Sequence, residues 1–174
     1  MHRSIAKRHG FTLIEMLVYV SMLVLLTVGV IRLVLTLSFN FAEIRVERRL
    51  MASSDLALET LVREIRLASS VVTSSSVFGT SPGKLVISTF RSPTDLTPVV
   101  RTFTINASRL TSQDDSGPQE FLTPPEVQIT NLTFWHLATT TSRLVTVKII
   151  LEAGQGRVLE SKTFYDSAVL RQNY

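Results

Sequence analysis

The stretch FTLIEMLVYVSMLVLLTVGVI, residues 11–31, decides the fold of this 174-residue chain, and Glu15 is its only charged residue. A helix rises 1.5 Å per residue, so this stretch would extend about 30 Å, the hydrocarbon thickness of a bilayer. It contains no proline, and Gly29 is its only glycine, which favours a helix. Arg32 follows directly and is long enough to reach lipid headgroups. The pattern predicts a helix that inserts into a membrane.

Two general explanations of an apolar N-terminal segment fit poorly here. The apolar core of a secretory signal peptide is usually about 7–15 residues long and ends at a small-x-small cleavage site. This run is longer and lacks such a site at its end. A plain transmembrane anchor leaves Glu15 unexplained, because a carboxylate deep in the bilayer costs about 2.5–3.5 kcal/mol on insertion scales. Glu15 is therefore a candidate functional residue that needs a partner.

The residues around Glu15 carry a family resemblance. The stretch GFTLIEML, residues 10–17, resembles the leader-cleavage and methylation motif of type IV pilins and type II secretion pseudopilins. In that family a dedicated membrane peptidase cuts after the glycine on the cytoplasmic side and then methylates the new N-terminal phenylalanine. The resemblance implies that Gly10 ends a cleaved leader, residues 1–10, and that Phe11 is the mature, N-methylated terminus.

The leader holds much of the positive charge of the chain. The formal net charge is +4, and the leader contains three basic residues and no acid, so its removal leaves +1. The overall charge is therefore weak support for a nucleic-acid partner. The basic residues of the leader are Arg3, Lys7 and Arg8. The chain has no Cys, so an exported domain would depend on packing rather than on disulfides.

Cleavage after Gly10 would create an amine that Glu15 can pair with. The new α-amine on Phe11 lies four residues before Glu15, and residues four apart share one face of a helix. The two charges can meet within one chain or between neighbouring chains, and pairing offsets the desolvation of both. In the family, the counterpart of Glu15 is thought to pair with the amine of an adjacent subunit. The resemblance thus assigns Phe11 and Glu15 to the assembly register between subunits.

The predicted helix continues past the membrane-inserting segment. Residues 37–69 contain no Gly or Pro, and Glu59 precedes Arg63 at the favourable i,i+4 spacing. Apolar residues recur three, four and eight positions apart, which predicts one helix over about residues 11–70 with an amphipathic second half. This stripe consists of Leu50, Leu58, Leu61, Ile65, Ala68 and Val72. We divide the mature chain into a transmembrane or filament-core segment, residues 11–37, and an extracytoplasmic part, residues 38–174.

The C-terminal hundred residues show the signals of an antiparallel sheet. The Ser/Thr-rich residues 69–83 are interpreted as a loop. Strands are expected where β-branched and aromatic residues alternate with polar ones, with turns at residues 114–118 and 154–156. The expected strands cover residues 85–90, 99–105, 126–136 with a bulge before Phe134, 145–151, 157–165 and 168–170. The predicted fold class is α+β, with the long helix covering one face of an antiparallel sheet.

This layout resembles one branch of the same family. The segment LVREIRLA, residues 61–68, is similar to the helix end of J-type minor pseudopilins of type II secretion and of related minor pilins. A strand bearing Phe134 and Trp135, an apolar strand at 145–151 and a last strand ending near Leu170 also fit that branch. The K-type tip subunit typically lacks the acid at the fifth mature position, so the presence of Glu15 disfavours that type.

No pattern of catalytic residues is apparent, and we expect neither an enzyme nor a cofactor. Beyond the leader, His136 is the only histidine, it stands in a predicted strand, and no G-x-S-x-G turn accompanies it. Asp114 and Asp115 lack a third spaced acid, so an exposed turn is favoured over a Ca²⁺ site, and no other metal spacing is present. There is no nucleotide-binding motif, so energy for assembly would come from a separate ATPase.

The resemblance implies a minor pilin or pseudopilin that primes or caps a type IV pilus or a type II secretion pseudopilus. It would be a single-pass protein of the inner membrane with its C-terminal domain outside. The family sets this orientation, because basic residues flank both sides of the apolar segment. The implied partners are the prepilin peptidase/methyltransferase, other major and minor pilins or pseudopilins, the inner-membrane assembly platform and membrane lipid.

Two other classes of function stay open from the sequence. A competence pilin could bind DNA through cations of its outer domain, although scattered, solvated charges are the favoured interpretation. A membrane-tethered enzyme would keep its activity after the substitution Glu15→Ala, whereas a filament subunit would lose assembly. The cations that a DNA-binding domain could use are Arg91, Arg101, Arg109, Arg143, Lys148 and Arg157.

Overall fold

The structure, a computed structural model, describes residues 12–90, 95, 97–115, 117–139 and 142–170. The predictions for the leader, for Gly10, for Phe11 and for Arg91 lie outside these residues. Contacts within the chain divide it into two units, one that ends at Ala42 and one that begins at Glu43.

A single helix, α1, covers Leu13–Leu67 and contributes to both units. Thr12 caps its start: the Thr12 carbonyl oxygen accepts hydrogen bonds from the main-chain N–H groups of Glu15 at 3.1 Å and Met16 at 3.2 Å. The Thr12 hydroxyl lies 3.3 Å from the same Glu15 nitrogen. Threonine is a favoured N-cap because its side chain satisfies an N–H group that has no partner within the helix. The predicted long helix is confirmed, and it ends three residues earlier than expected.

In the part that the structure describes, the first unit is an apolar helical segment whose side chains are exposed. Residues 12–41 are all exposed, and α1 contains a window that is long and apolar enough to cross a membrane. Four hydroxyl groups in this segment donate hydrogen bonds back to main-chain carbonyls three or four residues earlier, at 2.8–2.9 Å. These residues are Ser21, Thr27, Thr36 and Ser38. Their donors are therefore satisfied without water.

In the second unit, the remaining part of α1 buries one stripe of side chains. Leu50, Leu58, Leu61 and Ile65 are buried as the spacing predicted, and Ala68 is buried just past the helix. Val72 belongs to the following segment rather than to the helix, and it is only half-buried. The stripe thus predicts the packing face of α1 correctly over four of its turns.

Two antiparallel sheets replace the single sheet expected from the sequence. The first has five strands in chain order: β1 Ser70–Val71, β2 Leu85–Phe90, β3 Pro98–Asn106, β4 Arg109–Asp114 and β5 Gln119–Phe121. The segment predicted as a loop contains β1 and a 3-10 turn at Thr73–Ser75. Strands β4 and β5 were not predicted, because their sequences RLTSQD and QEF are too polar to show apolar alternation.

The second sheet has three strands: β6 Val127–Ala138, β7 Arg143–Ala153 and β8 Glu160–Val169. The predicted bulge is present, since the pairing with β7 shifts between Ile129 and Asn131. The last two predicted strands form one continuous strand, which starts at residue 160 because a 3-10 turn occupies Gly156–Val158. Gly154 makes the hairpin with a φ of 101°, a conformation that favours glycine.

The two sheets and the helix share one hydrophobic core. Phe103 and Leu110 enter it from the first sheet, Phe134 and Ile149 from the second, and Leu61 from α1. All five are fully buried. The predicted α+β class is confirmed, with the helix packed against antiparallel sheets.

Candidate functional site: the N-terminal motif

Glu15 lies in the first turn of α1, and its side chain is exposed. Thr12 and Glu15 have the spacing of a capping box, in which the acid at the third helical position faces back toward the start of the helix. A negative charge there also interacts favourably with the helix dipole. Phe11 directly precedes Thr12 in the chain but lies outside the described residues. The predicted pairing of Phe11 with Glu15 therefore stays a prediction, while the helical geometry needed on the Glu15 side is present.

The surroundings of Glu15 are apolar for several helical turns. Leu13, Ile14, Met16 and Leu17 are all exposed neighbours of this carboxylate in the first unit. A surface of this kind is buried by lipid or by other protein chains, because a helix that is apolar all round is not stable in water. An acid buried in such surroundings is costly unless a positive group pairs with it, which is the role predicted for the Phe11 amine.

Comparison with known protein families identifies this segment. Residues 5–31 match the prokaryotic N-terminal methylation motif. The matched residues include the predicted cleavage position, Glu15 and the whole apolar run of residues 11–31. The match supports a type IV pilin-like protein that is processed by prepilin peptidase and assembles with other pilins, and the long apolar helix suits anchoring in the inner membrane.

Beyond the methylation motif, the comparisons give no relatives: neither a curated protein nor a solved structure matches the chain. The resemblance to J-type minor pseudopilins therefore stays a prediction. The same holds for the choice between secretion, pilus and competence systems.

His136 lies on β6, in a strand as predicted, and its side chain is half-buried. Its ring stacks on Phe78, with the ring centroids 5.5 Å apart and the planes 24° from parallel. Its Nε2 atom is buried and, among the described residues, has no hydrogen-bond partner. Burial lowers the pKa of His136 below its ordinary value, and the positive charge of Arg143 lowers it further. A neutral imidazole held against an aromatic ring serves packing in this position.

The carboxylates of Asp114 and Asp115 are used in the hydrogen bonds of the first sheet. Asp114 Oδ2 accepts a hydrogen bond from Arg101 Nη2 at 2.7 Å, and Asp115 Oδ1 accepts one from the Val100 N–H at 3.0 Å. Asp115 also adopts a φ of 44°, which places it in a tight turn. Within the described ranges, no group of three or more His, Cys, Asp or Glu residues is placed to hold a metal ion.

Two of the cations considered for DNA binding are part of the internal structure of the outer domain. Arg101 forms ion pairs with Glu64 and Asp114. The guanidinium of Arg109 lies 3.9 Å from the centre of the Phe121 ring and donates a hydrogen bond to the Thr123 carbonyl at 2.7 Å. Arg91 and the side chain of Arg157 lie outside the described residues. DNA binding stays a prediction, with Arg101 and Arg109 already engaged in the fold.

The Glu64–Arg101–Asp114 cluster is a feature that the sequence does not reveal. Its members come from α1, β3 and β4, far apart in the chain, and both Glu64 and Arg101 are mostly buried. The hydrogen bond to Asp114 raises the pKa of Arg101 above its ordinary value, although burial acts in the opposite direction. The cluster is a fixed ionic link within the second unit.

Proposed function

We propose that this chain is a minor pilin or pseudopilin, a structural subunit that primes or caps a type IV pilus or a type II secretion pseudopilus. In this proposal, prepilin peptidase cuts between Gly10 and Phe11 and methylates Phe11. The mature protein is stored in the inner membrane through residues 11–37, with its C-terminal domain outside. It then leaves the membrane to join a filament, without acting as an enzyme or binding a cofactor.

One observation carries this proposal: the methylation motif places Glu15 in the first turn of a helix whose next 26 residues, up to Phe41, are exposed and mostly apolar. A stored subunit can bury these side chains in lipid, and an assembled subunit can bury them against other subunits. The two environments are similar in polarity, so the transfer between them requires no refolding of α1. The charged groups of this membrane segment are Glu15, with the Phe11 amine four residues before it, and Arg32, which can reach lipid headgroups.

The Phe11–Glu15 pair would set the register of assembly. If a subunit stops at an axial position where either charge is unpaired in apolar surroundings, the cost is several kcal/mol, about that of a broken buried ion pair. The position that pairs each amine with a carboxylate is then favoured over its neighbours. Energy for extraction from the membrane comes from a separate ATPase through the inner-membrane assembly platform.

The mass of the mature N-terminus tests the proposal most directly. In cells with an active prepilin peptidase, we expect the purified protein to begin at N-methylated Phe11 and to lack residues 1–10. In cells without the peptidase, the same protein should retain Met1. Substitution Gly10→Val should block cleavage, because a side chain at this position obstructs the protease subsite. A protein that keeps Met1 where other prepilins are cleaved contradicts the proposal.

A further inference from the structure

The outer edge of β8 presents main-chain groups that have no partner within the part of the chain that the structure describes. The hydrogen bond from the Leu170 N–H to the Arg143 carbonyl, 2.9 Å, fixes the alternation of the β7–β8 ladder. Even-numbered residues of β8 therefore bond to β7, and odd-numbered residues direct their N–H and C=O groups away from it. Among the described residues, only one of these outward N–H groups is taken, that of Ser167, which donates to the Asp166 carboxylate at 2.7 Å. The others belong to Ser161, Thr163, Tyr165 and Val169.

The opposite edge of the same sheet is closed. The outward carbonyls of Phe134 and Leu132 on β6 accept hydrogen bonds from Gly79 at 2.8 Å and Gly83 at 2.7 Å. The Leu132 N–H donates to the Ser81 hydroxyl, and the Ile129 N–H donates to the Ser108 carbonyl. Among residues 12–90, 95, 97–115, 117–139 and 142–170, the fold thus covers one long edge of the second sheet and leaves the other open, although open edges expose a protein to unwanted pairing.

A groove runs beside the open edge. It lies between the second half of α1 and β8 and has a volume of about 980 Å³. Its apolar lining includes Leu58 and Val62 of α1 together with Phe164 and Val169 of β8. A strand added to β8 would direct every second side chain toward this lining, since side chains alternate between the two faces of a sheet.

A second copy of the chain does not fit this edge. Lys162 near the start of β8 forms an ion pair with Glu47, and Val169 at its end lines the groove together with Leu67, so β8 and α1 run in the same direction. Two β8 strands paired antiparallel around a two-fold axis would point their helices in opposite directions. Copies of one chain in a filament all point the same way along it, so their outer domains cannot adopt that arrangement, a step that rests on the proposed function.

We infer that the open edge of β8 binds an extended strand from the outer domain of a different pilin-like subunit, and that the strand adds to the second sheet. Main-chain hydrogen bonds to the odd-numbered residues of β8 would hold this strand, and the groove would select its side chains. In recognition by strand addition, main-chain hydrogen bonds give affinity and pockets for side chains give specificity.

The charges along the groove indicate the pattern of the donated strand. Asp55 and Glu59 of α1 line one part, and Arg63 and Arg66 line the part closer to the end of the helix. Asp166 of β8 adds a further acid to the lining, and Arg63 also lies 3.5 Å from Glu64, so Arg66 is the main cation for a donated acid. The centres of the two pairs are about 11 Å apart at the rise of a helix, or roughly three to four residues of a strand. Only an even spacing keeps two side chains on one face, so an antiparallel strand should read acid-x-apolar-x-base.

Photo-crosslinking in intact cells tests the inference on the full chain. Tyr165 is 63% exposed beside the edge, so p-benzoylphenylalanine in its place should retain the fold. On illumination, we expect a product in which position 165 is linked to an extended segment with the acid-x-apolar-x-base pattern in another subunit that carries the methylation motif. A product joining two copies of this chain, or the absence of a protein product, overturns the inference. As a control, the same probe replaces Trp135, which is exposed on β6, away from this edge.

A proline substitution tests the role of the open edge without disturbing the rest of the fold. In Thr163→Pro, the lost N–H points away from β7, so the ladder of the second sheet stays intact. We expect the cross-link yield from position 165 to fall about tenfold, the effect of one lost hydrogen bond and a blocked edge. The matched variant Thr163→Val keeps the N–H and should retain the yield. Equal yields from the two variants overturn the inference, provided that slow amide exchange at Phe164 shows both to be folded.

The same cells distinguish this inference from the proposed function. If Phe11 is processed and the protein enters filaments without a cross-link from position 165, only the strand addition is wrong. If Phe11 is not processed, the proposed function fails first, and the outcome at position 165 then shows whether the edge is used by some other partner chain.

Discussion

Arg101 of β3 donates a hydrogen bond to Glu64 of α1, and the same guanidinium binds Asp114 of β4. The two partners lie on different elements, so one side chain links the helix to the first sheet. Arg101 and Glu64 are 18% and 13% exposed, respectively, which makes this link a largely desolvated one. Removal of one member of an ion pair in such a place leaves the others as poorly solvated charges without compensation, which is destabilising.

Loss of the arginine should therefore be costly. Arg101→Ala leaves Glu64 and Asp114 without their main partner, and we expect the free energy of unfolding to fall by about 2–4 kcal/mol. Urea unfolding of the full chain in detergent, followed by the fluorescence of Trp135, measures this change. Arg48→Ala, which removes an exposed arginine from the same helix, should change it by less than about 0.5 kcal/mol. Equal effects of the two substitutions would contradict a structural role for the cluster.

The stability of the outer domain should decrease in mild acid because of His136. Burial lowers the pKa of this residue in the folded protein below the ordinary value of 6.5, so the unfolded chain takes up the proton more readily. The stabilisation that comes from keeping His136 neutral in the folded protein is fully present above pH 6.5. It is lost as the pH falls through 6.5 toward the folded pKa. Unfolding curves at pH 7.5 and pH 5.5 should show a smaller loss in His136→Gln than in the original protein. An identical loss in both proteins would remove His136 as the cause.

The hairpin between β7 and β8 should tolerate a side chain at one glycine and not at the other. A Cβ at Gly154 would lie 2.0 Å from the Val158 carbonyl oxygen, whereas a Cβ at Gly156 has nothing within 4 Å. Both residues have a positive φ, but the 58° of Gly156 lies in the left-handed region that alanine reaches at a cost of about 1 kcal/mol, whereas the 101° of Gly154 lies outside it and adds to the clash. Gly154→Ala should therefore lower the melting temperature much more than Gly156→Ala does. Thermal unfolding by circular dichroism measures the difference, and equal shifts would contradict the close approach.

Removal of the Glu15 carboxylate should separate processing from assembly. In Glu15→Ala we expect normal cleavage and methylation at Phe11 and at least a tenfold smaller fraction of the protein in sheared filaments, since the Phe11 amine then lacks its partner. Immunoblots of membrane and filament fractions measure this, together with the mass of the N-terminus. Glu43→Ala, which removes an exposed acid later in α1, should leave the filament fraction unchanged. If filaments incorporate both variants equally, Glu15 does not set the assembly register between subunits.

The sequence predicted those parts of the fold in which apolar spacing follows a single period. The stripe on α1 and the alternation in β7 both identified the residues that are buried, such as Leu61 and Ile149. The change from odd to even apolar positions between Ile129 and Leu132 indicated the bulge in β6. The motif around Glu15 was equally visible, because its residues are contiguous.

The remaining parts depend on contacts between distant residues. Strand β4 is held by its neighbours β3 and β5 and buries mainly Leu110 and Thr111, which is too little apolar surface for a sequence signal. The division into two sheets depends on which strands pair with each other, and no local sequence pattern predicts that pairing. The cluster of Arg101 and the open edge of β8 likewise become visible only when the strands have their positions.

The hydroxyl groups of Ser21, Thr27, Thr36 and Ser38 each bond to a carbonyl of their own helix. Because these bonds are internal, they neither break nor form when the surroundings of the helix change. In the proposed function, a subunit that moves from lipid into a fibre therefore carries these hydroxyl groups along with their hydrogen bonds intact. The cost of such a transfer then falls on the charged groups of the segment, which are Glu15 with the Phe11 amine and Arg32.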